Sequence, residues 1–257
     1  MTRRTVIIIL GLDFETSGRE PKTHSVVEVG AALWCTELRR IIRSTGYLVF
    51  DRNTVWEDGA SEVNGITDDQ CAAFGIESEK ALKQLISYYM MAHAVCTYNG
   101  TIFDRPFYEN WCDRFGYTEY RDQNKIWIDA KVDLPFKKEK WHNLDLTSLA
   151  AHHGILHRNA HGALPDANIT LELFDMYPLH QVMESAMSPT VIVQAMVSFN
   201  EKDKAKARGY YWRPEKKQWI KSIKAYRVQD EVAQAAAGVA GEDGNPIPGF
   251  AIKIIEK

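Results

Sequence analysis

Long apolar runs, paired cysteines and an excess of charge of either sign are all missing from these 257 residues. The longest hydrophobic stretch, Val6–Leu12, has seven residues, far short of the ~20 that span a bilayer. It follows a basic start, Met1–Arg4, as a secretory signal does, but Asp13 and Glu15 come at once and no small-residue cleavage site follows. The expectation is a buried strand in a cytoplasmic protein with no membrane association. Cys35, Cys71, Cys96 and Cys112 stand 36, 25 and 16 residues apart, so no C-x-x-C pair exists to build a zinc ribbon or a redox motif. Reduced thiols are expected. Neither G-x-x-x-x-G-K-[ST] nor G-x-G-x-x-G occurs, which removes the common phosphate-cradling loops. With 31 Lys and Arg against 34 Asp and Glu, the net charge is −3, so nucleic-acid binding must come from local charge.

What remains is an ordinary globular composition, 45% hydrophobic and 25% charged. The length suits one full domain plus a smaller piece, and the core can support itself without disulfides or a structural metal.

Val6–Asp13 is β-branched and continuously apolar, as befits a central strand covered on both faces. Val26–Trp34 and Ile41–Phe50 are close enough in sequence to continue it as an antiparallel meander. Helical spacing follows over Asp68–Phe74 and Ser78–Met91, the second with Leu82, Leu85, Ile86 and Tyr89 on one face. Ala94–Tyr98 and Ile126–Ile128 read as short strands. Pro106 suits the first turn of a helix reaching Phe115. Asn143 can cap a helix from Leu144 that Gly154 stops, and Pro165–Tyr177 closes the block as a last helix. Three strands followed by alternating helices and strands predict an α/β domain over 1–180, a mixed central sheet flanked by helices.

Three short motifs in this block carry chemistry. Asp13 and Glu15 lie two apart at the end of the first strand, so both carboxylates face one side while Phe14 faces the other. Like charges held that close are unfavourable unless cations neutralise them, and hard oxygen ligands suit Mg²⁺ or Mn²⁺. Asn99-Gly-Thr-Ile-Phe-Asp104 places Asp104 near a helix start beside a strand end, where active sites form. His161-Gly-Ala-Leu-Pro-Asp166 puts Asp166 in the first turn of the last helix and His161 on the loop before it. A loop histidine can take a proton from water at neutral pH. Taken singly, each has a bland reading: a solvated strand end, a helix cap and a surface histidine.

Together, D-x-E-T, N-x-x-x-F-D and H-x-x-x-x-D, in this order, resemble the three motifs of the DEDDh 3′→5′ exonucleases, the DnaQ-like proofreading subunits included. Glu28-Val-Gly, Val63-Asn-Gly-Ile-Thr67 and Leu144–Gly154 agree, and the likeness covers about residues 5–178. It implies a ribonuclease H-like fold and two-metal phosphodiester hydrolysis. By carry-over, Asp13, Glu15, Asp104 and Asp166 would hold two Mg²⁺ or Mn²⁺ ions about 3.5–4 Å apart. His161 would be the general base, and nucleoside 5′-monophosphates the product. Thr16, Asn64, Asn99 and Phe103 are the expected substrate contacts. Many relatives have a histidine where this chain has Asn64, which can donate a hydrogen bond but carries no charge.

The expected partner is single-stranded DNA or a frayed 3′ end, with RNA 3′ ends as the alternative substrate and a non-catalytic binding subunit as the alternative function. A polymerase or other replication or repair protein, and a second copy of the chain, are the partner candidates among proteins. His152, His153, His157 and His161 invite a zinc reading, but Gly154 breaks the helical face it needs.

The remainder differs. Phe199–Arg227 has ten Lys and Arg against three acids, net +7, within a chain of net −3. Phe199, Tyr210, Tyr211, Trp212, Trp219 and Tyr226 are interleaved. A strand, a helix over Glu201–Arg208 and a hairpin at Arg213–Lys216 account for it. Residues 181–230 are expected to form a small basic α+β module that binds nucleic acid, with Trp212 and Trp219 in its core. Over 231–257 a small-residue flexible stretch, Ala233–Gly241, a turn at Gly244–Pro246 and a terminal strand, Phe250–Ile255, are expected.

Overall fold

A computed structural model describes residues 6–121, 125–136, 145–240 and 246–256. The chain divides into two compact units, Met1–Ala186 and Met187–Lys257. The sequence-based boundary at residue 180 therefore falls inside a helix, Leu179–Met187, that continues the first unit.

In the first unit, β1 (Ile8–Thr16), β2 (Val26–Cys35) and β3 (Arg40–Phe50) form the expected antiparallel meander. Then come α1 (Ala60–Asn64), α2 (Asp68–Phe74), β4 (Ile76–Glu77), α3 (Ser78–Met91), β5 (Ala94–Thr97) and α4 (Asp104–Arg114). The unit ends with β6 (Ile126–Asp129), α5 (Ala130–Asp133), α6 (Leu146–His152), α7 (Ala163–Asp175) and α8 (Leu179–Met187). The sheet order is β4-β3-β2-β1-β5-β6. β5 and β6 run parallel to β1, so the C-terminal ends of all three strands share one edge. That edge is where Asp13 and Glu15 emerge, and where the loop to α4 begins.

Strand alternation assigns the faces. Leu10, Leu12 and Phe14 enter one core with Leu82, Leu85, Tyr89, Tyr108 and Trp111. Ile9 enters the other with Cys96, Ile128, Leu149, Leu171 and Phe174. Asp13 and Glu15 continue the Ile9 face, so they point to the side that α7 covers. Gly11 allows the close approach, since a Cβ there would lie 2.5 Å from Leu171 Cδ1.

Local signals set the helix ends. Thr67 and Gln70 form a reciprocal capping box at α2. α6 is capped by Asp145, whose carboxylate accepts the Ser148 N–H at 2.7 Å; Asn143 and Leu144 lie outside the described residues. Gly154, with φ 75°, follows α6 and ends it as expected. All four cysteines are buried and free. Among the described residues no helix is long and apolar enough to cross a membrane.

The second unit contains β7 (Thr190–Met196), a 3₁₀ turn at Phe199–Glu201, α9 (Lys202–Lys206), β8 (Tyr211–Arg213) and β9 (Gln218–Lys224). α10 (Val228–Ala237), β10 (Val239–Ala240), β11 (Pro246–Ile247) and β12 (Ala251–Glu256) complete it. Its four-stranded sheet has the order β12-β7-β9-β8, so the terminal strand pairs within this unit. Most of the Ala-rich stretch read as flexible is helix α10, because alanine is both the smallest linker residue and the best helix former. Of the turn expected at Gly244–Pro246, Gly244 and Asn245 lie outside the described residues.

The core of this unit is Val191, Val193, Ala205, Tyr210, Ala235 and Phe250. Contrary to expectation, Trp212 is not in it. Trp212 sits opposite Trp219 on the β8–β9 hairpin and is 41% exposed, while Trp219 only flanks the core. β8 is an edge strand of the sheet, and Tyr210 just before it fills the interior.

Candidate active site

β1 presents the first two acids. Asp13 pairs across the ladder with Gly30, and Glu15 with Glu28. Phe14, between them, is buried on the opposite face, edge-on to Trp111 with ring centroids 6.2 Å apart. Gly30 is what lets the start of α7 approach, because a Cβ there would fall 2.1 Å from the carbonyl carbon of Ala163. Glu28 then fastens that start: its carboxylate accepts the Ala163 N–H at 2.9 Å, a negative charge at the positive end of the helix. Asp166, one turn in, is delivered beside Asp13 and Glu15. One carboxylate oxygen from each of the three lies within 4.8 Å of the others.

Asp104 comes from the other side as the first residue of α4. It is buried, and its Oδ1 accepts the Phe14 N–H at 3.0 Å, which ties the helix to the strand between the two β1 acids. The loop before it is held by Asp129 at the end of β6, which accepts the Asn99 N–H at 2.9 Å and the Thr101 N–H at 3.2 Å. Asn99 is in the left-handed region, φ 61°.

The acids disturb one another. Burial, then the charges of Asp104 and Asp166, push the Asp13 carboxyl well above the usual carboxylate range. Glu15 is pushed up to about 8 by burial and by Asp166, Glu28 and Asp104, a hydrogen bond from Asn64 only partly offsetting this. Asp104 is also pushed up to about 8, by burial first, with Asp129 and Asp166 adding to it against its backbone hydrogen bonds. Asp166 and Glu28 move the same way, again through burial. Among the described residues, the largest influences on the four motif acids are burial, other carboxylates, hydrogen bonds and, on Asp166, His157 and His161. A compact set of oxygen donors, ionised at a cost, has the chemistry of a hard divalent-cation site. Asp13, Glu15 and Asp166 would hold such an ion, with Asp104 adjoining.

A stability prediction follows. In the folded protein Glu15 and Asp104 keep their protons to about pH 8, whereas the unfolded chain releases them near pH ~4. Their contribution is whole below the lower value and is lost as pH climbs to the upper one. Thermal unfolding in EDTA is expected to give a melting temperature that falls from pH 5 to pH 8. Mn²⁺ should restore it at pH 8 and do little at pH 5. A flat profile in EDTA would contradict the arrangement.

Residues 10–174 match the family model described as Exonuclease, RNase_T. The chain belongs to this exonuclease family. Its structure resembles E. coli exonuclease I in complex with a dT13 oligonucleotide, with TM-score 0.60 and 16% identity over 98% of this chain and 64% of that one. It resembles the zinc-bound form of the E. coli enzyme's single-stranded DNA complex at TM-score 0.59 and 17% identity, over 98% and 63%. A third likeness is to the nuclease domain of 3′hExo, a DEDDh family member bound to rAMP: TM-score 0.51, 19% identity, 68% of this chain and 92% of that one. The chain thus spans under two thirds of the exonuclease I structures. No curated protein sequence matches it. The shared architecture is the ribonuclease H-like fold expected from the motifs.

Within this exonuclease, three of the four expected substrate contacts cluster. Thr16, Asn64 and Phe103 line one cleft of about 380 Å³ with Glu15, Gly18, Arg19 and Val63. Asn64 Nδ2 donates to the Thr16 carbonyl at 3.1 Å, and the Thr16 hydroxyl donates to the Gly18 carbonyl at 2.7 Å. Asn99 is not in that lining; it braces the loop instead.

His161 is exposed on the loop before α7, at φ 65°, and its backbone N–H bonds the Asp166 carboxylate. The ring on Asp166 is that of His157, whose Nε2 lies 2.8 Å from Oδ1. Asp129 and His157 are the residues that motif spacing passed over, and Glu28, singled out with Glu28-Val-Gly, was given no role. Glu28 lies inside β2, and only the ladder register places it against Glu15. For His157 the one available signal was its place four residues before His161.

Proposed function

We propose that this exonuclease removes nucleotides from the 3′ end of a single strand, DNA first and RNA as the alternative, and releases nucleoside 5′-monophosphates. The observation that carries this reading is the convergence of Asp13, Glu15 and Asp166 within 4.8 Å, with Asp104 bonded into the same strand. Two divalent ions bound there would supply an attacking water of lowered pKa and would stabilise the leaving 3′ oxygen. Asp13, Glu15, Asp104 and Asp166 would hold and orient those ions. The exposed ring of His161 accepts the proton of the attacking water. The cleft of Thr16, Asn64 and Phe103 beside Glu15 is sized for a terminal nucleotide, and the Phe103 ring offers a stacking face. Exonuclease I structures hold a dT13 oligonucleotide and single-stranded DNA, which favours DNA over RNA as the first substrate to try.

The test is a gel assay of 3′- and 5′-labelled single-stranded DNA and RNA with Mg²⁺, Mn²⁺ or EDTA. Stepwise shortening from the 3′ end that stops in EDTA is expected, and the faster polymer names the substrate. Retained binding without hydrolysis of either polymer would leave a non-catalytic subunit as the surviving reading.

The second unit is proposed to bind the same strand. Its charge counts for less than the sequence suggests, because Lys204 pairs with Glu201, Arg208 with Glu231 and Lys216 with Glu256. The aromatic surface supports it better. Trp212 and Trp219 lie 5.4 Å apart, Lys206 stands 5.8 Å over the Trp219 ring, and Lys202 stands 4.7 Å over the exposed Phe199 ring. Lys202 and Lys206 are one helical turn apart, so rings and cations alternate along one surface. Loss of one stacked base is worth about 1–3 kcal/mol. Trp212→Ala is therefore expected to weaken binding of a long oligonucleotide in EDTA about tenfold or more, measured by fluorescence anisotropy. Hydrolysis of a trinucleotide should not change. Equal affinity for wild type and variant would remove the second unit from binding.

A further inference from the structure

We propose that His157 is a positioning residue, holding the Asp166 carboxylate in the orientation in which it joins Asp13 and Glu15. The inference rests on the metal-site reading above and goes one shell further out. His157 lies on the loop between α6 and α7, yet its side chain is only 2% exposed. Both ring nitrogens are engaged: Nε2 with Asp166 Oδ1 at 2.8 Å, and Nδ1 with Thr147 Oγ1 at 2.9 Å. An ionised carboxylate can only accept, so Nε2 carries the proton. In the neutral ring Nδ1 then accepts from the Thr147 hydroxyl. Thr147 is the second residue of α6, so the imidazole bolts the start of that helix to the first turn of α7.

Asp166 needs such a bolt. Its nearest acidic neighbours, Asp13 and Glu15, repel it, and a carboxylate has two-fold rotational freedom about χ2. A hydrogen bond that commits Oδ1 to the imidazole fixes the plane of the group. Partners behind the ligands of metal sites do this work, and their loss costs 10–100-fold in metal affinity or activity.

The same geometry separates the two histidines. A general base must reach the water it deprotonates. The ring of His157 is closed off from solvent and has no free nitrogen, while that of His161 is exposed. His157 therefore acts on the carboxylate, and His161 is left for the proton.

The test compares Mn²⁺ binding to the full-length chain, followed by electron paramagnetic resonance without substrate, with hydrolysis measured across Mn²⁺ concentration. His157→Leu keeps the bulk and loses the donor; it is expected to bind Mn²⁺ about 10–100-fold more weakly and to recover most of its rate at saturating Mn²⁺. His157→Gln, whose amide can donate from near the Nε2 position, should regain most of the affinity. His161→Asn should bind Mn²⁺ as wild type does and stay slow at any concentration. Thr147→Val, which leaves the ring in place and removes its outer brace, gives a smaller loss of Mn²⁺ affinity and serves if His157→Leu does not fold.

Undiminished Mn²⁺ affinity in His157→Leu or, failing its expression, in Thr147→Val would overturn the proposal. A slow His157→Leu with normal affinity and an altered pH–rate profile would make His157 the base instead. A wild-type protein that neither binds Mn²⁺ nor hydrolyses either polymer would sink the metal-site reading itself. A wild-type protein that does both while His157→Leu matches its affinity sinks only the role of His157.

Discussion

Asp13→Asn is expected to abolish hydrolysis and, in EDTA at pH 8, to raise the melting temperature. The two effects have one origin. Burial and the charges of Asp104 and Asp166 disfavour the ionised Asp13 carboxyl in the metal-free fold. Ionised together, these carboxylates call for a cation, as the proposed metal site would supply. Asparagine keeps the shape, removes the charge and brings an N–H that a neighbouring carboxylate can accept. Each 1 kcal/mol so recovered raises the melting temperature by about 2–4 °C in a protein of this size. The gain should fade at pH 5, where Glu15 and Asp104 are already protonated, and it should reverse in excess Mn²⁺, which stabilises only the form that binds it. On the rate side, a metal site supplies several kcal/mol of charge stabilisation, so its disruption costs at least about 10³-fold. Asp104→Asn is the matched comparison, since its Oδ1 can still accept the Phe14 N–H. Hydrolysis that survives Asp13→Asn, or a melting temperature that drops in EDTA at pH 8, would mean that these carboxylates are not strained against one another.

Such a trade of stability for a charged site is legible in the sequence only in part. The motif acids could be read because each is tied to local structure: Asp13 and Glu15 to strand alternation, Asp104 and Asp166 to helix starts. Helices α2 and α3 could be read to the residue, since Thr67 begins one with a capping box and the other carries a clean apolar stripe. What escaped depends on distance through space. Glu28 meets Glu15 and Ala163 because of a ladder register and a helix approach, and neither is written in the local pattern. His157 reaches Asp166 because Gly154 ends α6 and the following loop turns its ring inward, so a histidine that looks like surface becomes buried. Trp212 escaped in the opposite sense. A small module needs apolar filling, and tryptophan is the obvious candidate. Tyr210, two residues earlier, filled the interior, with its hydroxyl bonded to the buried Glu231 at 3.1 Å.

His161→Asn is expected to slow hydrolysis by about 10²–10⁴-fold, the range of a lost general base, without changing Mn²⁺ affinity or the melting temperature. The substitution is chosen from the backbone. His161 sits at φ 65°, a region costly for most side chains and tolerated by asparagine, so the loop keeps its conformation. The hydrogen bond that His161 gives Asp166 comes from its backbone N–H, which any residue but proline supplies. The ring is therefore the only group removed. His161→Val would be uninformative by comparison, since a β-branched residue at this φ disturbs the loop and Asp166 with it. In the asparagine variant the loss should be in kcat rather than KM, because the role proposed for the ring lies in the reaction step and the cleft of Thr16, Asn64 and Phe103 is untouched. A variant that keeps the wild-type rate would return the role of base to bulk water or to another group. A variant that loses Mn²⁺ affinity would show that the ring reaches the carboxylates and that the two histidines share one task.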